Sequence, residues 1–134
     1  MPRLEIIEGI GPVYAAKLRE AGIATTEALW KKGASRQGRK ELAARTGLSE
    51  GQILEWVNHA DLFRIKGIGP EYADLLEAAG VDTVPELAQR NPDNLYQKLI
   101  EVNATKKLVR RLPTLDMVKD WVAQAKALPR VIEY

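Results

Sequence analysis

The stretch "EGIGPVYAAKLREAGI" at residues 8–23 returns as "KGIGPEYADLLEAAGV" at residues 66–81. Gly9, Ile10, Gly11, Pro12, Tyr14, Ala15, Leu18, Ala21, Gly22, Thr25 and Leu29 recur, 58 residues on, as Gly67, Ile68, Gly69, Pro70, Tyr72, Ala73, Leu76, Ala79, Gly80, Thr83 and Leu87. After a seven-residue insertion the ends correspond too: "ILEWVNHA" falls on "VKDWVAQA", with Trp56 opposite Trp121. A repeat that covers nearly the whole chain predicts two copies of one folding unit, residues 1–62 and residues 63–134.

Each copy reads as a string of short helices. Pro12 and Pro70 suit a first helical turn, where a missing N–H costs nothing. Gly22 and Gly80 suit the position just beyond a helix end. Thr83 with Glu86, and Ser49 with Gln52, have the spacing of capping boxes, and Asn91-Pro92 marks a further start. No segment alternates apolar and polar residues for long enough to argue a strand. The expected fold is all-α, with the two units related by a pseudo-twofold repeat. The Trp56 helix is expected to run through Phe63 into the second turn. No Gly/Ser-rich or Pro-rich linker separates the halves, which predicts rigid packing of one unit on the other.

In a Gly-Ile-Gly turn the glycines permit positive φ and close approach, while the isoleucine plugs the core. Ile10, Ile68, Gly11 and Gly69 are therefore expected in tight packing, with Trp30, Trp56 and Trp121 on buried helical stripes. Such a turn also points backbone N–H groups at a phosphate oxygen from a positive helix end. Pro12 donates nothing, so the donors in the first copy are Gly9, Gly11, Val13 and Tyr14.

On these residues, "IEGIGPVYAAKL" and "IKGIGPEYADLL" resemble the helix-hairpin-helix motif, within the SAM-like multi-helix group. Residues 4–62 also resemble the five-helix N-terminal domain of archaeal RadA-type recombinases, with "TTEAL" and "TGLSEGQILEWV" in the expected order. The whole chain is similar to a bacterial family of tandem helix-hairpin-helix proteins of unknown function. The resemblance implies that hairpin amides and a neighbouring cation hold backbone phosphates without reading sequence. It nominates Gly9, Gly11, Val13 and Lys17 in the first hairpin, and Lys66, Gly67 and Gly69 in the second. It further implies no cofactor beyond a monovalent cation held by hairpin carbonyls. In the second hairpin Glu71, Asp74 and Glu77 share a helical face, so that hairpin is expected to be structural or protein-binding.

The net charge of +2 says little, but its distribution says more. Lys31, Lys32, Arg36, Arg39 and Lys40 form one acid-free cluster, and Lys106, Lys107, Arg110 and Arg111 form another; either is a phosphate surface or a solvated face. The single His59 excludes a multi-His metal site, and the lack of cysteine excludes disulfides and thiolate chemistry. Asp116 and Asp120 read as a solvated pair beside Lys119. Neither glycine turn has the Gly-x-x-x-x-Gly-Lys-Ser/Thr phosphate loop or follows a strand. No apolar run approaches the roughly 18 residues of a membrane span, so a cytoplasmic protein without a small-molecule substrate is expected.

Two functions follow. One is non-enzymatic, sequence-independent binding of a nucleic-acid backbone, with DNA as partner, favoured by the basic clusters and Lys17. The alternative is a protein-interaction or self-association module that has lost the DNA surface, favoured by the acidic second hairpin and apolar Val13.

Overall fold

The computed structural model describes residues 3–7 and 9–134. It is all-α, and among the described residues the β pairing is limited to one isolated antiparallel bridge between Arg3 and Thr25. A 3-10 turn at Leu4–Ile6 precedes α1 (Pro12–Glu20), α2 (Thr26–Gly33), α3 (Arg36–Thr46), α4 (Glu50–Leu62), α5 (Pro70–Ala78), α6 (Val84–Gln89), α7 (Pro92–Lys106) and α8 (Leu115–Ala127). No helix among the described residues is long and apolar enough to cross a membrane.

The chain divides into two compact units, Met1–Asp61 with Val131–Tyr134, and Leu62–Arg130. Residues 131–134, expected in the second unit, are therefore part of the first. In unit 1, α1 and α2 both pack on α3; in unit 2, α6 and α7 both pack on α8, and α5 packs on α7. The unit 2 core gathers Leu62, Ile65, Ile68, Leu76, Leu87, Leu99, Val118 and Trp121, among others.

Local sequence accounts for the helix boundaries. Thr25, Ser35, Thr83, Asn91 and Thr114 cap α2, α3, α6, α7 and α8 with a side-chain oxygen, and Ser49 Oγ does so for α4, accepting from the Gln52 N–H at 3.1 Å. The α1 and α5 helices differ. Each starts with proline at its first turn, after a glycine (Gly11 or Gly69) that supplies no side-chain cap. Gly22 (φ +89°) and Gly80 (φ +92°) leave these helices in the left-handed region.

The two Gly-Ile-Gly turns have matching local geometry. The Ile10 N–H donates to Ile7 O at 3.1 Å, and the Ile68 N–H to Ile65 O at 3.2 Å; both isoleucines are buried. Gly9 (φ +92°) and Gly67 (φ +97°) take the left-handed conformation. A Cβ on Gly9 would lie 3.4 Å from Trp56 Nε1, and one on Gly67 would lie 2.9 Å from Trp121 Nε1. The expectation of tight packing at Gly11 and Gly69 is thus corrected: a Cβ there meets nothing within 4 Å, and the first glycine of each turn is the one pressed against a tryptophan. Tyr14 and Tyr72 complete the contact, their rings 5.5 Å from Trp56 and 5.3 Å from Trp121.

At the α6 start, Thr83 Oγ1 accepts from the Glu86 N–H at 3.1 Å. The Glu86 side chain does not reach back to close a capping box. Burial, then the hydrogen bond and charge of Asp82, hold its carboxyl above the ordinary value of 4.5. Between the ordinary and raised values the folded chain binds more protons than the unfolded one. The contribution is therefore fully present below 4.5 and is lost as pH rises through the folded value. Asp82→Asn is expected to reduce this loss, measured as the difference in thermal midpoint between variant and wild type from acid to neutral pH. Equal pH profiles for the two chains would refute the assignment.

Candidate functional site

The second turn opens into a cleft of about 530 Å³ in unit 2, lined by Gly67, Gly69, Pro70, Glu71, Tyr72, Arg110 and Arg111. The start of α5 forms one wall, and the segment between α7 and α8 forms another. Several contacts hold that segment in place. Lys107 ends α7 in the left-handed region (φ +50°), its N–H donating to Asn103 O at 2.9 Å. The Asn103 side chain clips Val109, donating to its carbonyl at 3.1 Å and accepting its N–H at 3.0 Å. The Tyr72 hydroxyl donates to Arg111 O at 3.0 Å. Val109 and Pro113 are buried, while Lys106, Lys107, Leu108, Arg110, Arg111 and Leu112 are exposed. Two guanidinium groups thus stand on an anchored loop beside a helix N-terminus that no side chain caps.

At the residue before the same turn, Gln124 fixes the Lys66 backbone. Its Oε1 accepts the Lys66 N–H at 2.9 Å and its Nε2 donates to Lys66 O at 3.1 Å. The Lys66 amide is therefore occupied, although its side chain is exposed. Glu71 is exposed at the rim of the cleft and carries the wrong charge for an anion.

The family described as a domain of unknown function (DUF4332) matches residues 8–128. The chain belongs to the DUF4332 family. The DUF4332 match takes in both Gly-Ile-Gly turns, both tryptophan helices and the arginine loop. No solved structure matches the chain.

The unit 1 turn is exposed at its glycines and at the start of α1. Gly9 and Gly11 are exposed, Val13 is 68% exposed and Tyr14 41%, and Lys17 Nζ sits 6.0 Å from the Tyr14 ring centroid. The first basic cluster is largely committed within the protein. Lys31 pairs with Glu27 at 3.0 Å and Lys32 pairs with Glu41, a contact that keeps the Glu41 carboxyl below its usual range. Arg36 donates from Nε to Tyr134 O, leaving Lys40 as an exposed lysine with no ion pair among the described residues.

Arg39, predicted as a phosphate contact, is corrected. It is only 5% exposed, and its Nη1 donates to Gly33 O at 2.7 Å and Ala34 O at 3.2 Å, while Nη2 donates to Glu133 O. The Gly33 and Ala34 carbonyls lie at the C-terminal end of α2, where a cation and a donor both stabilise the helix. An arginine so enclosed caps a helix and is withheld from outside anions.

The predicted buried tryptophans fare differently. Trp56 and Trp121 are buried, whereas Trp30 is half-buried and donates from Nε1 to Asp61 Oδ1 at 2.8 Å. His59 and Asp61 are buried, and no group of three His, Cys, Asp or Glu side chains suited to a metal occurs among the described residues.

Proposed function

We propose that the chain is a non-enzymatic protein that binds a nucleic-acid backbone without reading its sequence. Each unit is read as a helix-hairpin-helix unit of the SAM-like group, acting in the cytoplasm. One observation carries the reading: the uncapped α5 N-terminus and the Arg110–Arg111 pair line a single open cleft. Backbone N–H groups and a helix dipole suit a phosphate, and two adjacent arginines supply charge and planar donors. The site is thereby moved from the first hairpin to the second, with Lys17 and the exposed Gly11 turn as a weaker contact in unit 1. Glu71 opposes binding by about 1 kcal/mol at contact range in water.

The test is a fluorescence titration with duplex DNA at two salt concentrations. Each neutralised phosphate contributes a log–log salt slope of about −0.9, so Arg110→Gln with Arg111→Gln should flatten the slope by roughly 1.8. Glu71→Lys should tighten binding, and Lys17→Glu should weaken it less than the arginine pair does. Absence of duplex and single-strand binding at low salt, or binding indifferent to these changes, would refute the proposal.

Val13 favours a second reading. An apolar side chain 68% exposed at the tip of the unit 1 turn, beside Tyr14, suits a protein partner better than a phosphate.

A further inference from the structure

The insertion that distinguishes the second copy falls in α7 and the connection behind it. The α3 helix, Arg36–Thr46, is followed by residues 47–49, whereas α7, Pro92–Lys106, is followed by residues 107–114. That longer connection carries the arginine wall of the unit 2 cleft. The cleft's 530 Å³ falls within the roughly 300–1,000 Å³ of sites that enclose a small molecule. Its lining is mainly apolar, with Pro70 and Tyr72 in the same cleft as Arg110 and Arg111. Tyr72 is half-buried, and the bond from its hydroxyl to Arg111 O fixes the wall in place.

Charge along α5 adds an independent constraint. The helix carries Glu71, Asp74 and Glu77 and no lysine or arginine. A duplex would bring two rigid rows of phosphates, one charge per about 1.7 Å of axis, to that acidic helix. A single strand can turn away after one nucleotide.

We propose that the cleft takes one unpaired nucleotide of a single-stranded nucleic acid, with its phosphate on Arg110 and Arg111 and its base against Pro70 and Tyr72. The proposal rests on the nucleic-acid reading and narrows it to unpaired strands. Contact with the face of a base is tolerant of sequence, because every base has a π-face. A duplex carries about twice the charge density of one strand, so a preference for the strand cannot come from charge alone.

Fluorescence anisotropy with the full chain tests it, using three labelled probes of equal length at one salt concentration. They are oligo-dT, an oligo-dT·oligo-dA duplex, and an abasic strand that keeps every phosphate and lacks the bases. Oligo-dT is expected to bind about tenfold more tightly than either of the others. Arg110→Gln with Arg111→Gln should weaken oligo-dT and the abasic strand together. Tyr72→Phe removes the bond to Arg111 O and keeps the ring beside Trp121, so it should narrow the gap between those two probes.

Equal binding of oligo-dT and duplex, or of oligo-dT and the abasic strand, overturns the proposal; if that binding still depends on the arginines, the backbone reading survives. Failure of all three probes to bind overturns both. An unchanged gap in a Tyr72→Phe chain that keeps its helical circular dichroism overturns the placement of the base in this cleft. Free dTMP offers the same chemistry without a strand and should compete only in large excess. Displacement of oligo-dT by dTMP at equal nucleotide concentration would make this a mononucleotide site and overturn the strand assignment.

Discussion

Trp121→Ala is expected to lower the stability of unit 2 by about 3–5 kcal/mol. The side chain is 1% exposed in a core shared with Ile68, Leu76 and Val118, and it forms the floor beneath the Gly67 turn. Truncation removes the Tyr72 ring contact and opens a void that helix ends fixed by prolines and caps cannot easily close. Trp56→Ala should produce a similar loss in unit 1, where the same indole nitrogen faces Gly9. Urea unfolding followed by far-UV circular dichroism measures both, and a loss below about 1 kcal/mol would contradict the burial assigned to either indole. A further substitution separates two causes of strain in the turn. Gly67→Ala meets both a left-handed φ and a Cβ 2.9 Å from Trp121 Nε1. In a Trp121→Phe background the nitrogen is gone and only the backbone penalty remains, so the alanine should cost less there.

Gly38→Ala is expected to destabilise by about 2–4 kcal/mol, the sum of a lost helix cap and overpacking. Its sign makes it informative. Alanine inside a helix ordinarily gains about 1 kcal/mol over glycine. At Gly38, however, a Cβ would lie 1.8 Å from Lys32 O and 3.0 Å from Ser35 Oγ, the atom that accepts the Gly38 N–H at 2.9 Å to cap α3. Backbone cannot yield as a flexible side chain would, so α3 must shift away from the end of α2. Gly51→Ala is the control. It is exposed in α4 with nothing within 4 Å of its Cβ, and it should stabilise by about 0.4–1 kcal/mol. Thermal melts showing the same sign for both substitutions would refute the packing described between α2 and α3.

Features written within a few residues were legible in the sequence. Pro12, Pro70, Gly22, Gly80, Ser49, Thr83 and Asn91 mark helix ends because caps and left-handed exits depend on relations no longer than one turn. The strained glycine of each turn was also recoverable. A residue before proline is pushed towards extended backbone, so Gly11 (φ −86°, ψ −176°) and Gly69 (φ −101°, ψ −171°) are excluded and Gly9 and Gly67 remain. Long-range relations were not legible. Arg39 reads as one more surface cation until residue 133 is brought beside it, a separation of 94 residues. Arg110 and Arg111 read as an isolated basic run until the Tyr72 hydroxyl, 39 residues from Arg111, fastens their loop beside the α5 start. Asn103 carries no motif at all, since a side-chain amide that clips a loop is specified by the loop's path.

The division of unit 1 between residues 1–61 and residues 131–134 also sets the order in which the chain is completed on the ribosome. Unit 2 is continuous from Leu62 to Arg130 and is fully synthesised before Ile132 exists. Translation proceeds at about 5–20 residues per second, so the Ala34 carbonyl and the Arg39 guanidinium wait roughly 4–14 s after Asp61 is made for their last partners. During that interval residues 1–61 are without Ile132, which is 2% exposed in the complete fold. Residues 1–61 thus gain their partners at 131–134 only after the whole of unit 2 has been made.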